Sequence, residues 1–150
     1  MRIYIDTSVI NGFYAKDERI KDITKQFFHS VKFGRFTLYG SEIVSTEIKN
    51  TPHLEKRKLL IEVIEEYPIE ILPVTEEVET LARNYIENKI IPAKYIADAL
   101  HIACCVIHNI PILVSWNFEH IVKHKTRMEV NKISQKLGLP QIDLCSPEEV

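Results

Sequence analysis

The chain has 150 residues, 45% of them hydrophobic and 27% charged, with a formal net charge of −2. That composition excludes a disordered or fibrous chain, and the near-neutral charge leaves any nucleic-acid surface to local clusters. The length suits one domain over residues 1–150, large enough to hold a core without staples.

Arg2 to Ile5 is rich in β-branched and aromatic residues and predicts a strand, with Asp6 standing where that strand leaves the sheet. A charge there serves either as the N-cap of a helix starting at Thr7 and Ser8 or as a ligand, and the two roles are compatible. Ile20, Ile23, Phe27, Phe28 and Val31 recur at helical spacing until Gly34, and Phe36 to Tyr39 predicts a short strand. Gly40 and Ser41 mark a turn into a helix carrying Ile43, Val44, Glu47 and Ile48, and Pro52 fits the first turn of the next helix, to about Glu66. Ile69 to Leu72 is the third strand. Thr75 caps a helix whose acidic start, Glu76 and Glu77, suits the positive end of the dipole and which continues to about Lys89.

Pro92 opens a long helix in which Ile96, Ala99, Leu100, Ala103, Val106 and Ile107 form the buried stripe, and Asn109 and Pro111 stop it. Ile112 to Val114 is a fourth strand, a helix from about Thr126 to Leu137 ends at Gly138, and Gln141 to Leu144 is a fifth strand. Short apolar strands alternating with helices predict an α/β/α three-layer sandwich around a parallel five-stranded sheet.

Three cysteines, two of them adjacent at Cys104 and Cys105, form no disulfide framework and read as core residues of a reducing compartment. The chain starts directly on a strand, without a basic leader or an apolar signal core, and no run approaches the ~18 apolar residues of a membrane span. A cytoplasmic protein is expected.

In parallel sheets ligands bind beyond the carboxyl ends of the strands. The first strand delivers Asp6 there, and the fourth delivers Ser115, Trp116 and Asn117; Glu47 and Asp98 are carboxylates on helices with otherwise apolar neighbours. If Asp6, Glu47 and Asp98 converge, each ionised pair repels by on the order of 4 kcal/mol at ~4 Å, so the cluster needs protons or a cation. Oxygen-only ligands suit Mg2+ or Mn2+, and such a centre suits phosphodiester hydrolysis.

The segments YIDTSVI, STEI, IADALHIA and LVSWNFEHI resemble, in order and spacing, the four acidic motifs of the PIN domain, and the likeness covers essentially the whole chain. The nearest branch resembles the prokaryotic VapC-type toxins and their solitary relatives. The resemblance implies a magnesium- or manganese-dependent endoribonuclease, typically a homodimer, with RNA as substrate and a cognate antitoxin at or near the acidic cleft. It also implies that Asp6, Glu47 and Asp98 bind the metal, with Thr7, Ser8 and Ser115 in support. The fourth acidic position falls on Asn117, which offers a carbonyl oxygen but neither charge nor base; Glu119, two residues on, is the candidate to lend the missing charge.

Other features have plainer readings beside the sharp ones. His101, one turn from Asp98, is either a satisfied semi-buried histidine or a group behind the ligands. His120 and His124 have zinc-compatible spacing but lack the glutamate of an HExxH motif and a third ligand. Trp116 packs at the cleft edge or stacks on a base, and Phe27, Phe28 and Phe33 belong to the core or to a dimer surface. The basic clusters Lys56, Arg57, Lys58 and Lys123, His124, Lys125, Arg127 read as solvated faces unless they meet RNA. An aspartyl-phosphate enzyme would need an aspartate where Ser8 stands, and a dinucleotide enzyme would need a glycine-rich first turn. The rival function is a catalytically weak or inactive PIN-like domain that binds RNA or a protein partner without cutting.

Overall fold

The computed structural model describes residues Met1–Val150. Its strands are β1 (Arg2–Ile5), β2 (Thr37–Ser41), β3 (Ile69–Leu72), β4 (Ile112–Val114) and β5 (Asp143–Cys145). Its helices are α1 (Thr7–Asn11), α2 (Glu18–Lys32), α3 (Glu42–Lys49), α4 (Leu54–Glu66), α5 (Glu76–Glu87), α6 (Ile96–Ile107) and α7 (His124–Leu137). The five strands form one sheet in the order β3-β2-β1-β4-β5, every pairing parallel.

That order places the layers. Parallel crossovers are right-handed, so the path outward from β1 to β3 carries α1 to α4 over one face, and the return to β4 and β5 carries α5 to α7 over the other. Strand residues alternate between the two cores accordingly. Ile3, Ile5, Leu38 and Val114 pack with Phe27, Phe28, Val44 and Leu60 on one face. Tyr4, Leu113 and Leu144 pack with Leu81, Tyr85, Ile102 and Val130 on the other. The strand order reverses between β1 and β4, and the crevice beyond their carboxyl ends is where this architecture admits a ligand.

Several local expectations shift. β2 runs through Gly40 and Ser41, because pairing of these residues with Ile71 and Leu72 outweighs their local turn preference. β5 begins two residues later than the apolar pattern suggests, in register with Ile112. Pro52 precedes the N-cap of α4, where the His53 ring accepts from the Lys56 N–H, and Pro92 begins a 3-10 turn at Ala93–Tyr95 rather than the helix itself. α7 starts at His124, two residues early. The stripe on α6 is wider than periodicity suggests: every residue from His101 to Val106 is buried, because α5 covers the helix on the side away from the sheet, while Ile96 is 40% exposed. Cys104 and Cys105 lie within this buried run as free thiols. Phe27 and Phe28 are core, whereas Phe33 is 77% exposed at the end of α2. No helix is long and apolar enough to cross a membrane.

α5 and α7 end alike. The residue after the last turn adopts a left-handed conformation, and the next amide reaches back five residues: Ile90 to the Tyr85 carbonyl, and Leu139 to that of Ser134. Glycine fills the left-handed position after α7, but after α5 it is Lys89, at φ 58°. A side chain there costs about 1–2 kcal/mol. Lys89→Gly should therefore raise stability by about 1 kcal/mol once the flexibility of unfolded glycine is subtracted, read as a higher midpoint in denaturant with an unchanged slope.

Candidate active site

Asp6 follows β1 at the N-cap position of α1, with extended backbone, yet its carboxylate does not cap the helix. Instead it turns into the crevice between β1 and β4. Ser8 donates its hydroxyl to Oδ1 at 2.5 Å and Ser115, from the end of β4, donates to Oδ2 at 2.6 Å. Both serines are themselves fixed: the Trp116 amide donates to the Ser8 hydroxyl and the Asn117 amide to that of Ser115. Two strand ends and the first turn of α1 thus hold a carboxylate that is only 3% exposed. Behind it, Trp116 donates its indole N–H to Thr24 at 2.9 Å over Gly12, where a Cβ would lie 2.3 Å from the Thr24 hydroxyl. Trp116 is therefore a packing residue.

Glu47 reaches the same crevice from α3. Its Oε1 accepts the Thr7 hydroxyl at 2.8 Å and the His101 Nε2–H at 2.7 Å, leaving Oε2 without a hydrogen bond. His101 is 2% exposed and, through Nδ1, meets the Tyr4 hydroxyl at 2.7 Å; that hydroxyl also contacts Ser41 at 2.8 Å. Since a carboxylate only accepts, Nε2 carries the proton, and Nδ1 accepts from Tyr4. A buried chain from Ser41 through Tyr4 and His101 to Glu47 fixes that side chain, so His101 is a satisfied histidine and stands behind a candidate ligand as well.

Asp98, in the first turn of α6, completes the acidic set. Its Oδ2 accepts the side-chain N–H of Asn117 at 3.2 Å, while Asn117 Oδ1 accepts the His120 amide at 3.0 Å. Only this orientation satisfies both partners. Asn117 therefore turns a donor toward the acidic cleft, and the carbonyl oxygen offered by the sequence as a ligand is occupied elsewhere. Glu119 does not reach the acidic cleft; its side chain is 79% exposed and stands 3.6 Å from His120, in a neighbouring cleft. His124 is exposed at the start of α7 and no metal-binding group of histidine, cysteine or carboxylate side chains forms around it.

Asp6, Thr7, Ser8, Glu47, Asp98 and Asn117 line one cleft of about 280 Å³ with no hydrophobic side chain in its wall. Burial and the charge of Glu47 push the Asp6 carboxyl up, outweighing His101 and the two serine hydroxyls. Burial and the charge of Asp6 push Asp98 up in the same way. Glu47 is held down: burial opposes ionisation, but the His101 contact and the Thr7 hydroxyl prevail. The carboxylates face one space without forming a closed cage around a single point. An all-oxygen wall in which two buried acids resist ionisation for want of positive charge fits a hard divalent cation with water among its ligands.

The shifts set opposite pH trends. Asp6 binds its proton more tightly when folded, so in chelator the stability should fall as pH rises from about 4 through the raised Asp6 value. Glu47 contributes in the other sense, its stabilisation being lost as pH falls through its lowered value. Denaturant melts across this range check the trend, and Asp6→Asn should flatten the alkaline-side fall.

An α/β sandwich with an acidic, oxygen-lined cleft at the point where its strand order reverses is the class that fold and site define. A family model described as PIN domain matches residues 3–120. The chain belongs to the PIN domain family. Its fold is similar to that of VapBC2 from Rickettsia felis, solved bound to a DNA fragment from their promoter, at TM-score 0.58 and 17% identity over 79% of this chain and 90% of that one. It is equally similar, at TM-score 0.58 and 14% identity over 79% of this chain and 92% of the other, to Mycobacterium tuberculosis VapC20, a sarcin-ricin loop cleaving toxin. Among curated proteins no sequence matches significantly.

Proposed function

We propose that this PIN domain is a Mg2+- or Mn2+-dependent endoribonuclease, the toxin of a toxin-antitoxin pair acting as a homodimer, with Asp6, Glu47 and Asp98 holding the metal. The observation that carries the reading is the meeting of these three side chains in one polar cleft at the switch point of a PIN-family sheet. The similar structures, one a VapBC complex and the other an RNA-cleaving toxin, support the partner and the substrate class.

When bound, the cation neutralises phosphate oxygens and makes a water acidic enough to attack near neutral pH. The chain's own groups do the positioning. Ser8 and Ser115 occupy one lone pair on each Asp6 oxygen and aim the others into the cleft. Glu47 stays ionised, and its Oε2, free of hydrogen bonds, is the atom placed to take a proton from water. Asp98 Oδ1 likewise faces the site, its other oxygen being held by Asn117. Asn117 supplies hydrogen-bond donors but no base.

One observation favours a second reading. With its carbonyl oxygen bonded to the His120 amide, Asn117 adds no ligand and no charge, as in a domain that binds RNA or a protein without cutting. The two readings part when purified protein is incubated with structured and single-stranded RNA in Mn2+, Mg2+ or chelator, beside Asp6→Asn prepared identically. Metal-dependent cleavage that the variant lacks supports the nuclease; equal cleavage by both proteins would overturn it.

A further inference from the structure

A second cleft, of about 270 Å³, lies next to the acidic one, between the start of α7 and the turn from Lys89 to Pro92. Asn117 joins the two, bonding Asp98 with its amide and the His120 backbone with its carbonyl. The wall carries Lys89, Lys123 and Lys125, none within ion-pair reach of a carboxylate. Two carboxylates, Glu119 and Glu129, share the wall and are outnumbered by these lysines.

Three further features point to an anion. The 14-residue helix α7 begins here with no side-chain cap and no acidic residue in its first turn, so its free amides and positive dipole end are unanswered. His120, 9% exposed, lines the cleft with an Nε2 that has no hydrogen-bond partner. Lys89 holds its place in the wall despite a left-handed backbone that glycine would adopt more easily. On the far side of the His120 ring, at 4.1 Å between centroids, lies Tyr95, which is 37% exposed three residues before Asp98. An exposed aromatic beside a cationic cleft is the arrangement by which single strands are held, the ring for a base and the cations for the backbone.

We infer that this second cleft seats a backbone phosphate of a single-stranded RNA whose neighbouring phosphodiester lies in the acidic cleft, an inference that rests on the RNA-directed reading above. Lysine side chains supply the charge, the α7 amides supply directed donors, and His120 Nε2 supplies a donor or acceptor already stripped of water. The opposite charges of the adjoining clefts then set the strand's direction across the surface.

The test uses the full chain and a fluorescent single-stranded oligoribonucleotide, its binding read by anisotropy over a range of salt in chelator, so that binding is separated from cleavage. Lys123→Ala with Lys125→Ala should weaken binding about tenfold and reduce the salt slope by about 1.4, which is ~0.7 for each of two phosphate contacts. Lys132→Ala with Lys136→Ala removes equal charge from the far end of the same helix and should leave both quantities unchanged. His120→Phe, which keeps a ring against Tyr95, should weaken binding severalfold. Equal loss in both lysine pairs, no loss in either, or no RNA affinity in any protein would each overturn the inference, the last in favour of an acidic protein segment as occupant. Cleavage in Mn2+ is scored separately: RNA bound through Lys123 and Lys125 without any cleavage would sink the nuclease alone, and cleavage with unchanged affinity in the Lys123 and Lys125 variant would sink the subsite alone.

Discussion

Asp6→Asn removes metal-dependent RNA cleavage, by about three orders of magnitude, while leaving the fold in place. The loss should exceed the 10–100-fold that follows when only an outer partner of a metal ligand is removed, since here the charge itself disappears. Stability should respond far less, because two effects oppose each other. The new amide puts a donor where Ser8 and Ser115 both donate, so one hydroxyl hydrogen loses its acceptor, at about 1–3 kcal/mol. Against that, a buried carboxyl that resists ionisation no longer has to carry charge at neutral pH. Cleavage rates and denaturant melts on the same preparation test both halves; a variant that keeps the parent rate removes Asp6 from the site.

His101→Ala is expected to have the largest effect on stability among changes near the cleft. It empties the space of a side chain that is 2% exposed and leaves Tyr4 with Ser41 as its one remaining hydroxyl partner. Cavity and lost hydrogen bonds together should cost about 3 kcal/mol. The functional consequence is separate. Without the Nε2–H contact Glu47 keeps only Thr7, so cation affinity should fall 10–100-fold. His101 acts through Glu47 and is a positioning residue. The readout that distinguishes this from plain destabilisation is acid-side behaviour: with the contact gone, the Glu47 carboxyl moves up, and the stability it contributes is lost less steeply as pH falls. His101→Gln should recover part of the cation affinity, because its amide can still donate toward Glu47.

The layer order and the identities of the acidic residues were legible in the chain because they depend on local pattern. Four-residue apolar runs such as Arg2–Ile5 and Ile69–Leu72 are strands wherever they fall, and right-handed crossovers leave few ways to wind five of them. Asp6 was conspicuous because a charge at the end of such a run has no core to enter. Element ends were less legible: Gly40 and Ser41 carry turn propensity, and only pairing with Ile71 and Leu72 draws them into β2.

What the sequence by itself determined is thus an α/β sandwich of the PIN family with Asp6, Glu47, Asp98 and Asn117 at the ends of the right elements. Tertiary structure decided how those side chains are used. Which way an amide points depends on partners distant in sequence, so only the folded chain shows that Asn117 gives its oxygen to the His120 backbone and its N–H to Asp98. The same holds for His101, whose role depends on Tyr4 and Glu47, 97 and 54 residues away. It holds equally for Glu119, whose nearness in sequence to Asn117 suggested the acidic cleft but whose side chain belongs to the basic one. Spacing along a chain specifies a face of a helix or an end of a strand, whereas hydrogen-bond direction is a property of the packed whole.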